Sequence, residues 1–96
     1  MPRVELTIAA VEDLDALVRT HSLPPDTRDR VKRSLRPLEQ FPRLGRELSG
    51  RWEGFRVLLG PWRWMLIVYV LVEPDDRAVV ATIQDARPSA AATGGS

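Results

Sequence analysis

The sequence predicts an α+β domain with the element order β-α-α-β-β-β, in which an N-terminal helix hairpin packs on one face of an antiparallel meander sheet. The second half of the chain holds three extended apolar segments, at residues 54–59, 62–72 and 77–83, with short turn signals between them. Before them, apolar residues recur at helical spacing in two successive stretches. The chain has 96 residues and is 44% hydrophobic, which suits one domain with a single core.

The first strand and the first helix are predicted at the N-terminus. Residues 3–7 alternate apolar and polar side chains, the period-two pattern of a half-buried strand. Thr7 has the position of a helix N-cap, because its hydroxyl can accept from the free N–H groups of the next turn. We therefore expect a helix from Ile8 to about Thr20. Its apolar face is formed by Val11, Leu14, Leu17 and Val18.

The second helix is predicted to begin at Ser22, with Pro24-Pro25 in its first turn, where a proline costs no backbone hydrogen bond. Pro37 lies inside the same helical pattern and would remove one such bond. We therefore expect a kink or an end near Arg36. The apolar face of this helix is formed by Val31, Leu35 and Leu38.

The second half of the chain reads as three hairpin-linked strands. Residues 62–72 are nearly all apolar and rich in β-branched and aromatic side chains, as in a central strand buried on both faces. Tyr69 lies in the middle of this strand, and we predict a core residue with one hydrogen bond. Three consecutive strands form a meander, so the first strand must add at one edge. Residues 1–87 are predicted to form the domain, and residues 88–96 a disordered tail.

The composition excludes several kinds of site. The chain has no cysteine, so a disulfide, a thiolate metal site and a Cys nucleophile are impossible. The single histidine, His21, leaves little for a metal centre or a Ser-His-Asp triad, and we expect it on the surface of the helix link. We expect neither a metal nor a cofactor. The longest apolar run, residues 64–72, is far shorter than the roughly 20 residues that span a bilayer, so we expect no membrane partner and a soluble, cytoplasmic protein.

The net charge is only +1, but basic side chains crowd into residues 28–46. Such a cluster can bind phosphates or an acidic protein partner, and a solvated helix face is the alternative. The candidates for RNA or partner binding in this window are Lys32, Arg33 and Arg46.

The tryptophans form a second group of candidates. Trp52 lies beside Arg51 in a glycine-flanked loop, and Trp62 and Trp64 would share one face of a strand. Tryptophans next to arginines can stack on bases or anchor a protein interface. Core packing is the alternative for Trp62 and Trp64, whereas Trp52 is expected to be the most exposed. Arg51 and Trp52 are therefore further candidates for RNA or partner binding.

Several short motifs add to this pattern. They are residues 7–14 (TIAAVEDL), 41–50 (FPRLGRELSG), 54–57 (GFRV) with 60–63 (GPWR), and 75–80 (DDRAVV) with 83–87 (IQDAR). Together with the element order, they resemble the RelE/ParE superfamily of bacterial type II toxins. The likeness covers nearly the whole chain up to Arg87.

The resemblance implies a toxin that is neutralised by a cognate antitoxin encoded beside it, in a hetero-oligomer with that antitoxin or as a homodimer. RelE-like members cut messenger RNA on the ribosome, using basic side chains to assist attack by the 2′-hydroxyl. ParE-like members inhibit DNA gyrase without catalysis of their own. We predict ribosome-dependent mRNA cleavage. Gyrase inhibition and a degenerate member that binds only its antitoxin are the alternatives.

The resemblance also implies site residues. Arg56 matches a basic position on the first strand of the meander, Arg63 the arginine that follows an aromatic residue, and Arg87 the basic end of the last strand. These three are our candidate catalytic residues, as phosphate contacts.

The chain departs from the RelE-like pattern at three places. Leu58 stands where a basic residue is common, Ala86 interrupts the C-terminal basic pair, and neither Tyr nor His follows the last strand. The active-site set is therefore incomplete. Glu53 and Asp85 are the nearby carboxylates that could act as a base.

Overall fold

The computed structural model describes residues 3–87, so the predicted tail at residues 88–96 lies outside the described part of the chain. The helices and strands are β1 (Val4–Leu6), α1 (Ile8–His21), α2 (Thr27–Leu35), β2 (Arg46–Glu47), β3 (Phe55–Leu59), β4 (Met65–Val72) and β5 (Arg77–Asp85). Two 3-10 turns, Arg36–Glu39 and Gly50–Trp52, complete the order. The predicted α+β class and the helix hairpin before the meander are confirmed.

The five strands form one sheet in the order β1-β5-β4-β3-β2. Strands β3, β4 and β5 are the predicted antiparallel meander. Strand β1 adds at one edge, as expected, and runs parallel to β5. Strand β2 pairs with β3 at the other edge and was not predicted, because two residues carry no periodic pattern.

Helix α1 begins as predicted and ends later than predicted. The Thr7 hydroxyl oxygen accepts from the Ala10 N–H at 3.1 Å, which confirms the N-cap. The same hydroxyl donates to the Val80 carbonyl at 2.9 Å and so ties the start of the helix to β5. At the other end, α1 continues to His21.

The predicted start of the second helix is wrong. Ser22 is the C-cap of α1, with a left-handed backbone (φ 49°) that is typical of helix ends. Helix α2 begins only at Thr27, whose hydroxyl donates to the Pro24 carbonyl at 2.6 Å. The prolines therefore belong to the link between the helices rather than to the first turn of α2.

Helix α2 ends at Leu35 and gives way to the 3-10 turn that contains Pro37, which confirms the predicted break. Both helices lie on one face of the sheet. The core contains residues from α1, α2, the following 3-10 turn and strands β4 and β5: Ala10, Leu14, Val31, Leu35, Leu38, Met65, Ile67, Tyr69, Ala78, Val80 and Ile83.

The central strand starts later and the last strand ends later than predicted. Residues 62–64 form a turn, in which the Met65 N–H donates to the Trp62 carbonyl at 3.0 Å, so β4 begins at Met65. Strand β5 runs to Asp85 instead of residue 83. The Ala86 N–H donates to the Trp64 carbonyl at 2.8 Å, which continues the pairing of the two chain segments past the strand ends.

Tyr69 is fully buried, which confirms the predicted core position. Its hydroxyl makes two hydrogen bonds rather than one: it donates to the Pro42 carbonyl and accepts from the Gly45 N–H, both at 2.8 Å. A Cβ atom at Gly45 would lie 2.7 Å from the Tyr69 ring and hydroxyl, closer than carbon atoms pack. Glycine therefore allows the loop to close on the phenol. Burial raises the pKa of the Tyr69 hydroxyl, against the smaller effects of the Gly45 N–H and the Arg56 charge.

Replacing Tyr69 with phenylalanine removes the hydroxyl and leaves the Pro42 carbonyl and the Gly45 N–H without a partner. We expect Tyr69→Phe to lower the free energy of unfolding by about 1–3 kcal/mol, measured by urea denaturation. The exposed hydroxyl of Thr20 provides the control, since Thr20→Ala should change this free energy by no more than about 0.5 kcal/mol. Equal effects of the two substitutions would contradict a structural role for the Tyr69 hydroxyl.

Candidate functional site

Three chain segments meet where β4 begins and β5 ends. Met65, the first residue of β4, pairs with Asp85, the last residue of β5. The last residue of α1, His21, reaches the same place. We call the side chains of His21, Trp64, Asp85 and Arg87 the β4–β5 corner.

Asp85 is the central group of the β4–β5 corner. Its Oδ2 lies 2.7 Å from His21 Nε2, and its Oδ1 lies 3.3 Å from Arg87 Nε. The backbone N–H of Arg87 also donates to Oδ1, at 2.9 Å. Only 6% of the Asp85 side chain is exposed, so this carboxylate is held by its partners rather than by water.

The protonation of Asp85 follows from these contacts. Burial by itself would raise the pKa of the Asp85 carboxyl. The hydrogen bonds and the positive charge of Arg87, together with His21, outweigh burial and hold this pKa below its ordinary value. Asp85 is therefore a carboxylate at neutral pH.

The contacts of His21 define which of its nitrogens carries the hydrogen. Arg87 Nη2 lies 3.3 Å from His21 Nδ1, and a guanidinium can only donate. Nδ1 must therefore accept, so the hydrogen of the neutral ring is on Nε2 and is donated to Asp85. The ring is held in one orientation with a lone pair on Nδ1.

Aromatic and cationic groups are layered beside this carboxylate. The Arg87 guanidinium lies 4.1 Å from the Trp64 ring centroid, and the His21 ring centroid lies 5.1 Å from it. Trp64 stacks on Trp62 at 5.9 Å, and the Arg30 guanidinium of α2 lies 5.8 Å from the Trp62 ring. Such cation–π contacts each contribute roughly 0.5–1 kcal/mol at exposed positions. The turn before β4 is thus held between both helices and the end of β5.

The structure brings two of the three candidate catalytic arginines to the same end of the sheet. Arg63 is exposed in the turn before β4, and Arg87 follows β5 with 52% of its side chain exposed. Arg56 lies elsewhere. It pairs with Tyr69, which is four residues after Met65 along β4, or about 13 Å along the strand.

The guanidinium of Arg56 already has several acceptors. Its Nη1 donates to the carbonyls of Arg43 and Gly45 at 3.0 and 2.8 Å, and its Nη2 donates to Glu47 at 2.9 Å. Only 16% of the side chain is exposed. These bonds hold the segment before and within β2 against β3. The role of Arg56 as a phosphate contact, expected from the sequence, remains a proposal.

The other candidate residues are distributed over two surfaces away from the β4–β5 corner. Arg46 on β2 and Arg51 in the following 3-10 turn are exposed, and so is Trp52, which packs edge-on against Phe55 at 5.4 Å. Trp52 is the most exposed tryptophan, as expected. Glu53 lines an open cavity of about 480 Å³ together with Arg56. Lys32 and Arg33 are exposed on α2.

Within residues 3–87, no three His, Asp or Glu side chains come together in a way that could hold a metal ion. No helix in this part of the chain is both long and apolar enough to cross a membrane.

Comparison with known proteins identifies the fold. No protein-family model matches the sequence, and no curated protein matches it. Several solved structures match the chain. The toxin–antitoxin complex RelBE2 from Mycobacterium tuberculosis matches with a TM-score of 0.66 at 22% identity, covering 88% of this chain and 99% of that one. An arginine-to-alanine mutant of the E. coli toxin RelE, in complex with a peptide of the antitoxin RelBc, gives 0.68 at 14% identity, covering 99% and 94%.

The chain has the RelE-like toxin fold. The structure of YafQ from E. coli agrees with this assignment, with a TM-score of 0.62 at 13% identity over 93% of this chain and 98% of that one. The resemblance seen in the sequence is thus confirmed for the fold.

The sequence missed His21 as a member of the site. We expected this residue on the surface without a role, yet only 28% of its side chain is exposed, and it contacts both Asp85 and Arg87. A lone histidine at a helix end has no periodic pattern. No local pattern places it beside Asp85, because that contact depends on α1 following β5 from Val80 to its end.

Because the pKa of Asp85 is depressed, the effect of replacing Asp85 on the stability of the protein should depend on pH. The carboxylate stabilises the folded state fully above its unfolded-state pKa of about 3.9, and this contribution is lost as the pH falls through the lower folded-state pKa. We therefore expect Asp85→Asn to destabilise the protein at pH 6 more than at pH 3, measured by urea denaturation at both values. If Asp85→Asn lowered the free energy of unfolding equally at both pH values, the charge of Asp85 would not contribute to stability as inferred from its ion pairs.

Proposed function

We propose that this protein is the toxin of a toxin–antitoxin pair and that it cuts messenger RNA on the ribosome. The observation that carries the proposal is the exposed Arg87 guanidinium, which is held over Trp64 and beside Asp85 at one end of a RelE-like sheet. Arg63 is exposed at the same end.

RNA cleavage through the 2′-hydroxyl requires a cation that binds the phosphate, a base for the hydroxyl and an acid for the leaving oxygen. Arg87 and Arg63 supply positive charge from two chain segments. The carboxylate beside Arg87 remains satisfied if the guanidinium turns towards a phosphate, because Asp85 keeps the backbone N–H of Arg87 and the His21 N–H as donors. The corner can therefore release the arginine side chain without leaving a buried charge unpaired.

Replacing Arg87 tests this role. We expect Arg87→Ala to reduce mRNA cleavage by about 100-fold or more, since a preorganised cation for the developing phosphate charge is lost. Transcripts from cells expressing each variant would be mapped for new 5′ ends. Arg43→Ala is the matched control: Arg43 is also exposed and paired with an aspartate, Asp76, but at the opposite end of the sheet.

Two results would count against the proposal. If the Arg87 variant cleaves mRNA as fast as the parent protein, Arg87 is not part of the active site. Intact transcripts during growth arrest by the parent protein would exclude mRNA cleavage itself. Supercoiling by purified gyrase in the presence of the protein would then test the ParE-like alternative.

A groove between β1 and the helices fits the partner that neutralises such a toxin. Two adjoining cavities of about 290 and 230 Å³ share Leu6 and Lys32 in their linings. The floor is apolar, and the rim carries positive charge. The apolar residues are Val4, Leu6, Val11, Leu14, Val31 and Leu35, the basic ones are Arg28, Lys32 and Arg36, and Glu39 is acidic. Arg28 is paired with Asp15, so Lys32 and Arg36 provide most of the positive charge. We propose that an apolar, acidic segment of the antitoxin binds here.

Reversing the charge of the rim should weaken this binding. We expect Lys32→Glu to lower the affinity for the acidic protein encoded beside the toxin by roughly tenfold at low salt, and by less at high salt, because rim charges are screened. Titration calorimetry at two salt concentrations would measure it. Arg19→Glu, an equal change of charge on exposed α1 surface, should have a smaller effect. If both variants lost the same affinity, the antitoxin would bind outside this groove.

A further inference from the structure

We propose that His21 is the general base of the RNA cleavage proposed above and that Asp85 is its positioning residue. This inference depends on that function and adds a residue to it. The sequence pattern that suggested the function places no chemistry at the end of α1.

The geometry of the ring supports a role in proton transfer. Asp85 accepts the Nε2 hydrogen of His21 at 2.7 Å, and the Trp64 ring lies against the imidazole at 5.1 Å between centroids. These two contacts fix both the tautomer and the plane of the ring. The remaining lone pair on Nδ1 is directed at Arg87 Nη2, which lies 3.3 Å away. The only basic nitrogen of the chain's single histidine therefore faces the candidate phosphate contact.

Arg87 links phosphate binding to this nitrogen. In the free protein its guanidinium donates to Asp85 and to His21 Nδ1. A phosphate is a stronger acceptor than a neutral imidazole, because a charged acceptor roughly doubles the strength of the hydrogen bond. When the guanidinium turns to a phosphate, Nδ1 loses its donor and lies next to the bound nucleotide. The 2′-hydroxyl of that nucleotide can then donate to Nδ1.

The proposed step balances in atoms and charge. His21 Nδ1 takes the proton of the 2′-hydroxyl while the 2′-oxygen forms a bond to phosphorus. The bond between phosphorus and the 5′-oxygen breaks, and the leaving 5′-oxygen takes a proton from water. The hydroxide left behind takes the proton of the imidazolium. The products are a 2′,3′-cyclic phosphate and a 5′-hydroxyl, and no atom changes its oxidation state.

Asp85 assists this step without touching the substrate. It holds the imidazole in the tautomer that leaves Nδ1 free, and its negative charge stabilises the imidazolium that forms. The low exposure of its side chain keeps water from weakening this charge interaction. Asp85 also contacts Arg87, so substitutions of Asp85 would disturb both candidate groups. The decisive substitutions are therefore those of His21.

Packing of His21 on Trp64 is the competing explanation, and the choice of variants separates the two. His21→Phe keeps a ring against Trp64 but removes both nitrogens. His21→Gln keeps a donor for Asp85 but provides no base. His21→Ala opens space in which free imidazole can bind. Thr20→Ala, at the neighbouring exposed position, is the matched control.

The experiment measures single-turnover cleavage of mRNA on purified, mRNA-programmed ribosomes, with thermal unfolding of each variant recorded in parallel. We expect the phenylalanine and glutamine variants to cleave about 100- to 10,000-fold more slowly than the parent, the range for loss of a general base. Thr20→Ala should cleave at the parent rate. Free imidazole should restore part of the activity of His21→Ala, which a purely structural role of His21 would not permit.

Each contrary result has a separate meaning. If the parent does not cleave, the proposed function fails, and the role of His21 fails with it. If the parent cleaves and both His21→Phe and His21→Gln stay within about threefold of it, the function stands and His21 is not the base. If these variants are slow but imidazole does not rescue His21→Ala, the role in proton transfer is overturned.

Discussion

One end of this structure depends on the contacts that the Asp85 carboxylate makes. It joins the end of α1 to the chain that leaves β5, through His21 and Arg87. Those two side chains in turn cover the Trp64 ring and fix the turn that leads into β4. With so little of the carboxylate exposed, each partner is needed, because a buried charge without donors is strongly destabilising. The same requirement that stabilises this corner also orients its arginine and histidine.

The opposite end of the sheet uses its polar groups in a different way. Tyr69 and Arg56 rise from neighbouring positions of β4 and β3 and hold the irregular segment that precedes β2 through its backbone. A carbonyl and an N–H group of that segment bind the phenol, and two of its carbonyls accept from Nη1 of the guanidinium. These side chains therefore maintain the fold, whereas the β4–β5 corner leaves Arg87 half exposed to solvent. The sequence alone does not distinguish Arg56 from Arg87. Their hydrogen-bond partners in the structure do.

Much of the fold could be predicted from local patterns, and most of the site could not. The period of apolar residues located both helices and the meander, and Thr7 marked the start of α1 because capping is a local interaction. Trp62 and Trp64 fit the period of a strand equally well, so the turn before β4 was predicted to end before Trp62 rather than at Trp64. His21 and Asp85 are far apart in sequence. They meet only because β1 adds beside the first half of β5 and α1 then follows β5 from Val80 to its end at Asp85, which no local pattern records.

Leu58 explains why the chemistry of this chain would be drawn from α1. Its side chain packs against the core, so a basic residue at this position would have to bury its charge against apolar neighbours. The middle of β3 therefore cannot supply a second cation next to Arg56 without a different core. The end of α1 has no such constraint, because His21 lies at the rim of the sheet and already has a carboxylate partner. The β4–β5 corner instead gathers His21 from the helix, Trp64 from the turn, Asp85 from the strand and Arg87 from the residues just after it.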